Sequence, residues 1–176
     1  MKKNRFTTTQ LAIAGLMIAI TVILSYQNIY LFPPRSGRIT LRFIPMIFSS
    51  ILLGPTIGTI VGGASDPLIY FLTLGSPGMY FPGYMLTNIV MGFFPGLIIR
   101  KDTNRDNKLF LTLRVALISI TSFLVTIFLD SFWLSITRGK GFWYYVISRS
   151  VPNLIQMGIT FVAILVLVIR IKKTYR

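Results

Sequence analysis

Six apolar runs, parted only by short polar connections, leave this chain little room for a water-soluble core. They cover Leu11 to Leu24, Leu41 to Leu53, Thr56 to Leu74, Tyr84 to Ile99, Leu109 to Ile136 and Phe142 to Ile171. Of the 176 residues, 53% are hydrophobic and 12% charged, with a mean hydropathy of +0.72. A bilayer-spanning helix takes roughly 20 residues, so a chain of this length fits about six spans with short loops. The expectation is an all-α fold: one integral membrane domain over residues 1–176, a bundle of six transmembrane helices. The second run is 13 residues, too short to cross a bilayer untilted.

Lysine and arginine set the orientation. The start of the chain, the segment from Arg100 to Arg114, and the tail from Arg170 onward hold 12 of the 18 basic residues, and all three share one side of a six-helix bundle. The positive-inside bias then places both termini in the cytoplasm. The basic start before Leu11 imitates a secretory signal, but it lacks a small-residue cleavage site, and we read it as a retained first helix.

Composition also removes several kinds of chemistry. The chain has no cysteine, histidine or glutamate, and its carboxylates are Asp66, Asp102, Asp106 and Asp130. Cysteine or histidine nucleophiles and zinc clusters are therefore excluded, and a phosphate-binding GxxxxGK[ST] loop is missing. We expect no enzymatic activity, no metal and no cofactor. The net charge of +14 does not indicate nucleic acid, because the basic residues lie between apolar runs rather than on one polar face. The expected surroundings are the lipid bilayer.

The informative stretch runs from Arg35 to Asn88. Two apolar segments abut at the helix-breaking pair Gly54-Pro55, with Arg35, Arg38 and Arg42 at the entrance and Asp66 inside the second segment. In a membrane, this pattern suggests broken helices around a binding cavity. The preceding loop, Tyr26 to Thr40, is long, aromatic and proline-containing, as expected of a lid; Tyr30, Pro33, Pro34 and Arg35 are its candidate gating residues. In the last run, Arg149, Asn153 and Gln156 fall on one helical face, and a polar stripe in a membrane helix faces a cavity or the bundle interior.

Six basic residues, Arg35, Arg38, Arg42, Arg138, Lys140 and Arg149, fall at the outer end against the positive-inside bias. Either they capture an anionic solute or they snorkel to lipid headgroups. Aromatic residues crowd the same end. Most suit an interfacial belt, while a subset beside the polar stripe could stack on a flat heterocycle. Asp66 and Asp130 suit hydrogen bonding to ligand amino groups or pairing with arginine, and for Asp66, which precedes Pro67, a structural role at a helix break is an equal alternative. In the first helix, Gly15 and Ala19, with Ala12 and Ala14 beside them, form a small-residue face for close helix approach, either inside the bundle or against a partner.

The order AGLMIA, LRFIP, LLGPTIGTIVGGASD, YFPGYMLTNIVMGFFPGLI, LDSFWLSITRGKGF and SRSVPNLIQ resembles the substrate-binding S components of energy-coupling factor (ECF) transporters, and in particular their folate-specific branch. The resemblance spans nearly the whole chain, although Asp130-Ser131 stands where it implies Asn-Thr and Pro152-Asn153 where it implies a nearby lysine. It implies six helices, a vitamin site near the outer surface of a bacterial cell membrane, and a complex with a transmembrane scaffold subunit and two ATPase subunits. Gly15, Ala19 and Ala12 would dock to the scaffold, and the loop from Tyr26 would be the gate. Arg149 and Trp133 would be the leading ligand contacts, joined by Asn153, Gln156, Arg38, Arg42, Tyr84 and Asp66. Folate is the implied ligand; riboflavin or pantothenate is the alternative.

Overall fold

A computed structural model describes residues 6–32, 37–72, 80–100 and 108–174. Among these residues six helices form a bundle: α1 (Thr8–Ser25), α2 (Phe43–Leu53), α3 (Pro55–Leu72), α4 (Pro82–Arg100), α5 (Lys108–Arg138) and α6 (Phe142–Thr174). Between α1 and α2 runs an antiparallel hairpin of β1 (Asn28–Phe32) and β2 (Gly37–Thr40). Four helices, α1, α4, α5 and α6, are long and apolar enough to cross a membrane. At 11 residues α2 is not, and α3 is diluted by three glycines and Asp66.

Local sequence accounts for the element ends. Thr7 and Gln10 form a reciprocal capping box that starts α1, each side chain taking the other's backbone N–H at 3.3 and 3.1 Å. Gly54 adopts φ 93°, a conformation that side chains with a Cβ rarely take, so the chain turns there and Pro55 opens α3 without wasting a donor. Pro95 is the expected end or bend of the fourth run, yet α4 continues through it to Arg100. The adjacent Gly96 N–H donates to Ser50 Oγ of α2 at 2.8 Å, so a neighbouring helix stabilises the backbone beside the proline. At the far end, Arg114 of α5 donates to the Ile98 carbonyl at 3.0 Å, placing a cation at the C-terminal turn of α4.

Glycine sets the closest packing. A Cβ at Gly58 or Gly62 of α3 would overlap the backbone of Gly92 or Asn88 on α4. Two such positions four residues apart draw these helices together, as small residues do in membranes where no hydrophobic force separates helix from lipid. One apolar core joins Phe43, Met46 and Ile47 of α2 to Met91, Val115, Ile118 and Ile164. A smaller one joins Ala14 of α1 to Ile57 and Val61 of α3.

Candidate functional site

The hairpin replaces the long irregular loop expected between the first two helices. Tyr30 pairs in register with Arg38, Ile29 with Ile39 and Asn28 with Thr40. Pro33, Pro34 and Arg35 lie outside the described residues, as do the side chains of Tyr30 and Arg38. The inner strand is pinned to α6: the Thr40 N–H donates to Gln156 Oε1 at 2.8 Å, and Gln156 Nε2 donates to Thr160 Oγ1 at 3.4 Å. Ile39 and Thr40 are buried.

Below the hairpin the expected polar residues meet. On facing turns of α5 and α6, Asp130 and Arg149 form a salt bridge at 3.1 Å. Asn153 and Gln156, one and two turns further along α6, are buried and border a cleft with Phe43, Met91, Ser122 and Thr126. Its cavity volume is about 10 Å³. That is room for about one water, whereas small-molecule sites usually measure hundreds of Å³.

Asp66 of α3 centres a second polar cluster. Its Oδ1 accepts a 2.6 Å hydrogen bond from Asn88 Nδ2 on α4, and Arg42, buried at the start of α2 with its guanidinium 5.0 Å from the Phe43 ring centre, acts electrostatically on the same carboxylate. The Tyr80 hydroxyl is buried beside Asp66 without a hydrogen bond of full geometry; burial, and after it the Asp66 charge, push its pKa above the ordinary tyrosine value. Over this layer sits Trp133, its ring 5.6 Å from that of Phe81 and its Nε1–H donating to Thr87 Oγ1 at 3.2 Å. Tyr84 is half-buried with its hydroxyl 3.5 Å from Thr137 Oγ1. Trp143 is 69% exposed and belongs to the periphery.

Hydroxyls in the helices mostly return to their own backbone: Thr21, Ser49, Ser65, Ser119 and Thr126 all donate to carbonyls three or four residues earlier. Ser131 Oγ does not. With Asn88 Oδ1 and Asn153 Nδ2 it is fully buried and unpartnered among the described residues. Asn88, Ser131 and Thr87 were missed from sequence, although an Asn inside the apolar run YMLTNIVMG is the kind of intramembrane polar residue that marks a site.

The small-residue face of α1 divides in two. Ala14 packs inward on Ile57 and Val61. Ala12, Gly15 and Ala19 are exposed, and a Cβ at Gly15 would meet nothing within 4 Å. Packing within the bundle does not explain them.

Residues 5–173 match the family model of the ECF-type riboflavin transporter S component. The chain is 30% identical over 160 residues to the folate transporter FolT of Clostridium novyi (strain NT), covering 90% of this chain and 85% of that one. Its fold is similar to a crystal structure of FolT bound with folic acid, with a TM-score of 0.70 at 23% identity over 89% of this chain and 90% of that one.

Proposed function

This chain belongs to the S-component family of ECF-type transporters, multi-pass membrane proteins and not enzymes, and from that premise we propose that it captures folate outside a bacterial cell and delivers it inward. The relative that is a folate transporter supports folate over other vitamins. The observation that carries the site is the buried polar layer of Asn88, Asp130, Ser131, Arg149 and Asn153 beneath Trp133, on three helices. In this reading the pterin stacks on Trp133, amide and carboxylate groups bond its edges, and Arg149, Arg42 and Arg38 hold the glutamate carboxylates. Riboflavin is the second reading, because the matching family model is that of a riboflavin S component.

The single domain crosses the bilayer six times with both termini in the cytoplasm, as the basic residues favour. α2 alone spans only ~16 Å, but β2 ahead of it adds ~13 Å of extended chain, giving together about the 30 Å of a hydrocarbon core. Such irregular backbone is tolerated at depth when protein buries it, and Ile39 and Thr40 are buried. The hairpin is the gate over the narrow cleft. Ala12, Gly15 and Ala19 form the docking face for the transmembrane scaffold subunit, whose two ATPase subunits supply the energy this chain has no motif to harvest.

Tryptophan-fluorescence titration of the purified protein with folate, riboflavin and pantothenate tests the reading. Saturable quenching by folate alone is expected, with Trp133 as its source. Quenching by riboflavin alone would transfer the site to the second reading, and no response to any of the three would remove the vitamin-binding assignment.

A further inference from the structure

Three buried polar atoms without partners among the described residues lie on three different helices: Asn88 Oδ1 on α4, Ser131 Oγ on α5 and Asn153 Nδ2 on α6. Their neighbours tie them together. Asn88 bonds Asp66, which feels the charge of Asp130; Asp130 precedes Ser131 and pairs with Arg149, one turn from Asn153. Asn153 and Met91, which is one turn on from Asn88, border the same cleft. An unmet buried polar atom is costly in any protein, and more so with no water at membrane depth.

Asn88 differs from the other two in that its orientation is dictated. When Asp66 is ionised it accepts and does not donate, so the amide turns its Nδ2 to Asp66 Oδ1 at 2.6 Å; reversed, two oxygens would face each other at that distance. The carbonyl oxygen is then forced away from Asp66. With Asn88 only 1% exposed, it is an acceptor that solvent does not reach.

We propose that Asp66 is a positioning residue that locks the Asn88 amide, so that Asn88 Oδ1 accepts a hydrogen bond from an N–H group on the ring of the bound vitamin and makes the site selective for heterocycles that carry a donor there. Asn153 Nδ2 supplies the complementary donor and Ser131 Oγ serves either sense, so the three match a ring edge that mixes amino or lactam N–H groups with carbonyl or ring-nitrogen acceptors. The inference rests on the folate reading above and assigns Asp66 to Asn88 instead of to the ligand.

The test pairs protein variants with ligand analogues. Folate, a folate lacking the exocyclic 2-amino group and a folate methylated at N3 are titrated against the wild-type protein, Asn88→Ala and Asp66→Asn. Deleting the recognised donor is expected to weaken wild-type binding about tenfold or more, since one buried hydrogen bond is lost and its acceptor stranded. The same deletion should cost Asn88→Ala nothing further, and the penalty should shrink in Asp66→Asn, whose amide faces a partner that no longer dictates its orientation. Should a variant fail to fold, Asn88→Ser carries the same comparison. Equal penalties for both analogues on wild type and variants, with folate itself still bound, overturn the inference alone. Loss of folate binding by the wild-type protein would instead overturn the functional reading, and this inference with it.

Discussion

Arg149 on α6 donates to Asp130 on α5 at 3.1 Å, with the two side chains only 12% and 10% exposed. Removing one partner of a buried pair strands the other charge, which typically costs about 3–5 kcal/mol, whereas removing both leaves no charge uncompensated. Arg149→Ala is therefore expected to lose both folate affinity and thermal stability in detergent. Asp130→Asn combined with Arg149→Ala should regain the stability without the affinity. A double variant as unstable as the single one would show that the pair does not hold α5 to α6.

The two kinds of glycine should behave in opposite ways. Gly62 of α3 meets the Asn88 backbone, so Gly62→Val must push α3 from α4, and we expect loss of folded protein by size-exclusion chromatography. Gly15 faces open space, so Gly15→Leu should leave folding and folate binding unchanged while abolishing uptake in cells that carry the partner subunits. Wild-type uptake by Gly15→Leu would remove this face from the docking surface.

The Thr40 N–H to Gln156 Oε1 bond holds the hairpin against α6. Gln156→Ala leaves that buried donor unmet, at a cost of about 1–3 kcal/mol, and so loosens the hairpin. If the hairpin gates the cleft, stopped-flow fluorescence should show a faster association rate. A faster dissociation rate alone would make Gln156 a ligand contact and not a latch.

Tyr80 links stability to alkaline pH. Its raised pKa means the folded protein holds the phenolic proton more tightly than the unfolded chain does. The contribution is full below the ordinary tyrosine pKa of about 10 and declines as pH rises from there through the folded value. Tyr80→Phe should flatten the fall in melting temperature above about pH 10; an unchanged slope would assign that fall to other groups.

How far the sequence foretold the molecule depended on the range of the interaction. The helices were legible because each is a long apolar run, a local property, and Gly54-Pro55 marked its break by backbone chemistry alone. Pro95 misled because its accommodation lies in Ser50, 45 residues away. The strands escaped notice because two short segments around Pro33-Pro34 carry little alternation, and their pairing is completed by Gln156 on the last helix. Arg149, Asn153 and Gln156 were found by their spacing on one face. Asn88 was not, because its meaning comes from Asp66 on the neighbouring helix.

At 31 and 33 residues, α5 and α6 would each measure roughly 46–50 Å, against about 30 Å of hydrocarbon. Closing that gap by tilt alone needs about 50°, beyond the 0–40° range of membrane helices, so their ends must project or the bilayer must deform around them. The ends suit projection, since α5 closes on Arg138 and α6 carries Arg170 near its end, so both helices reach past the hydrocarbon into the headgroup region.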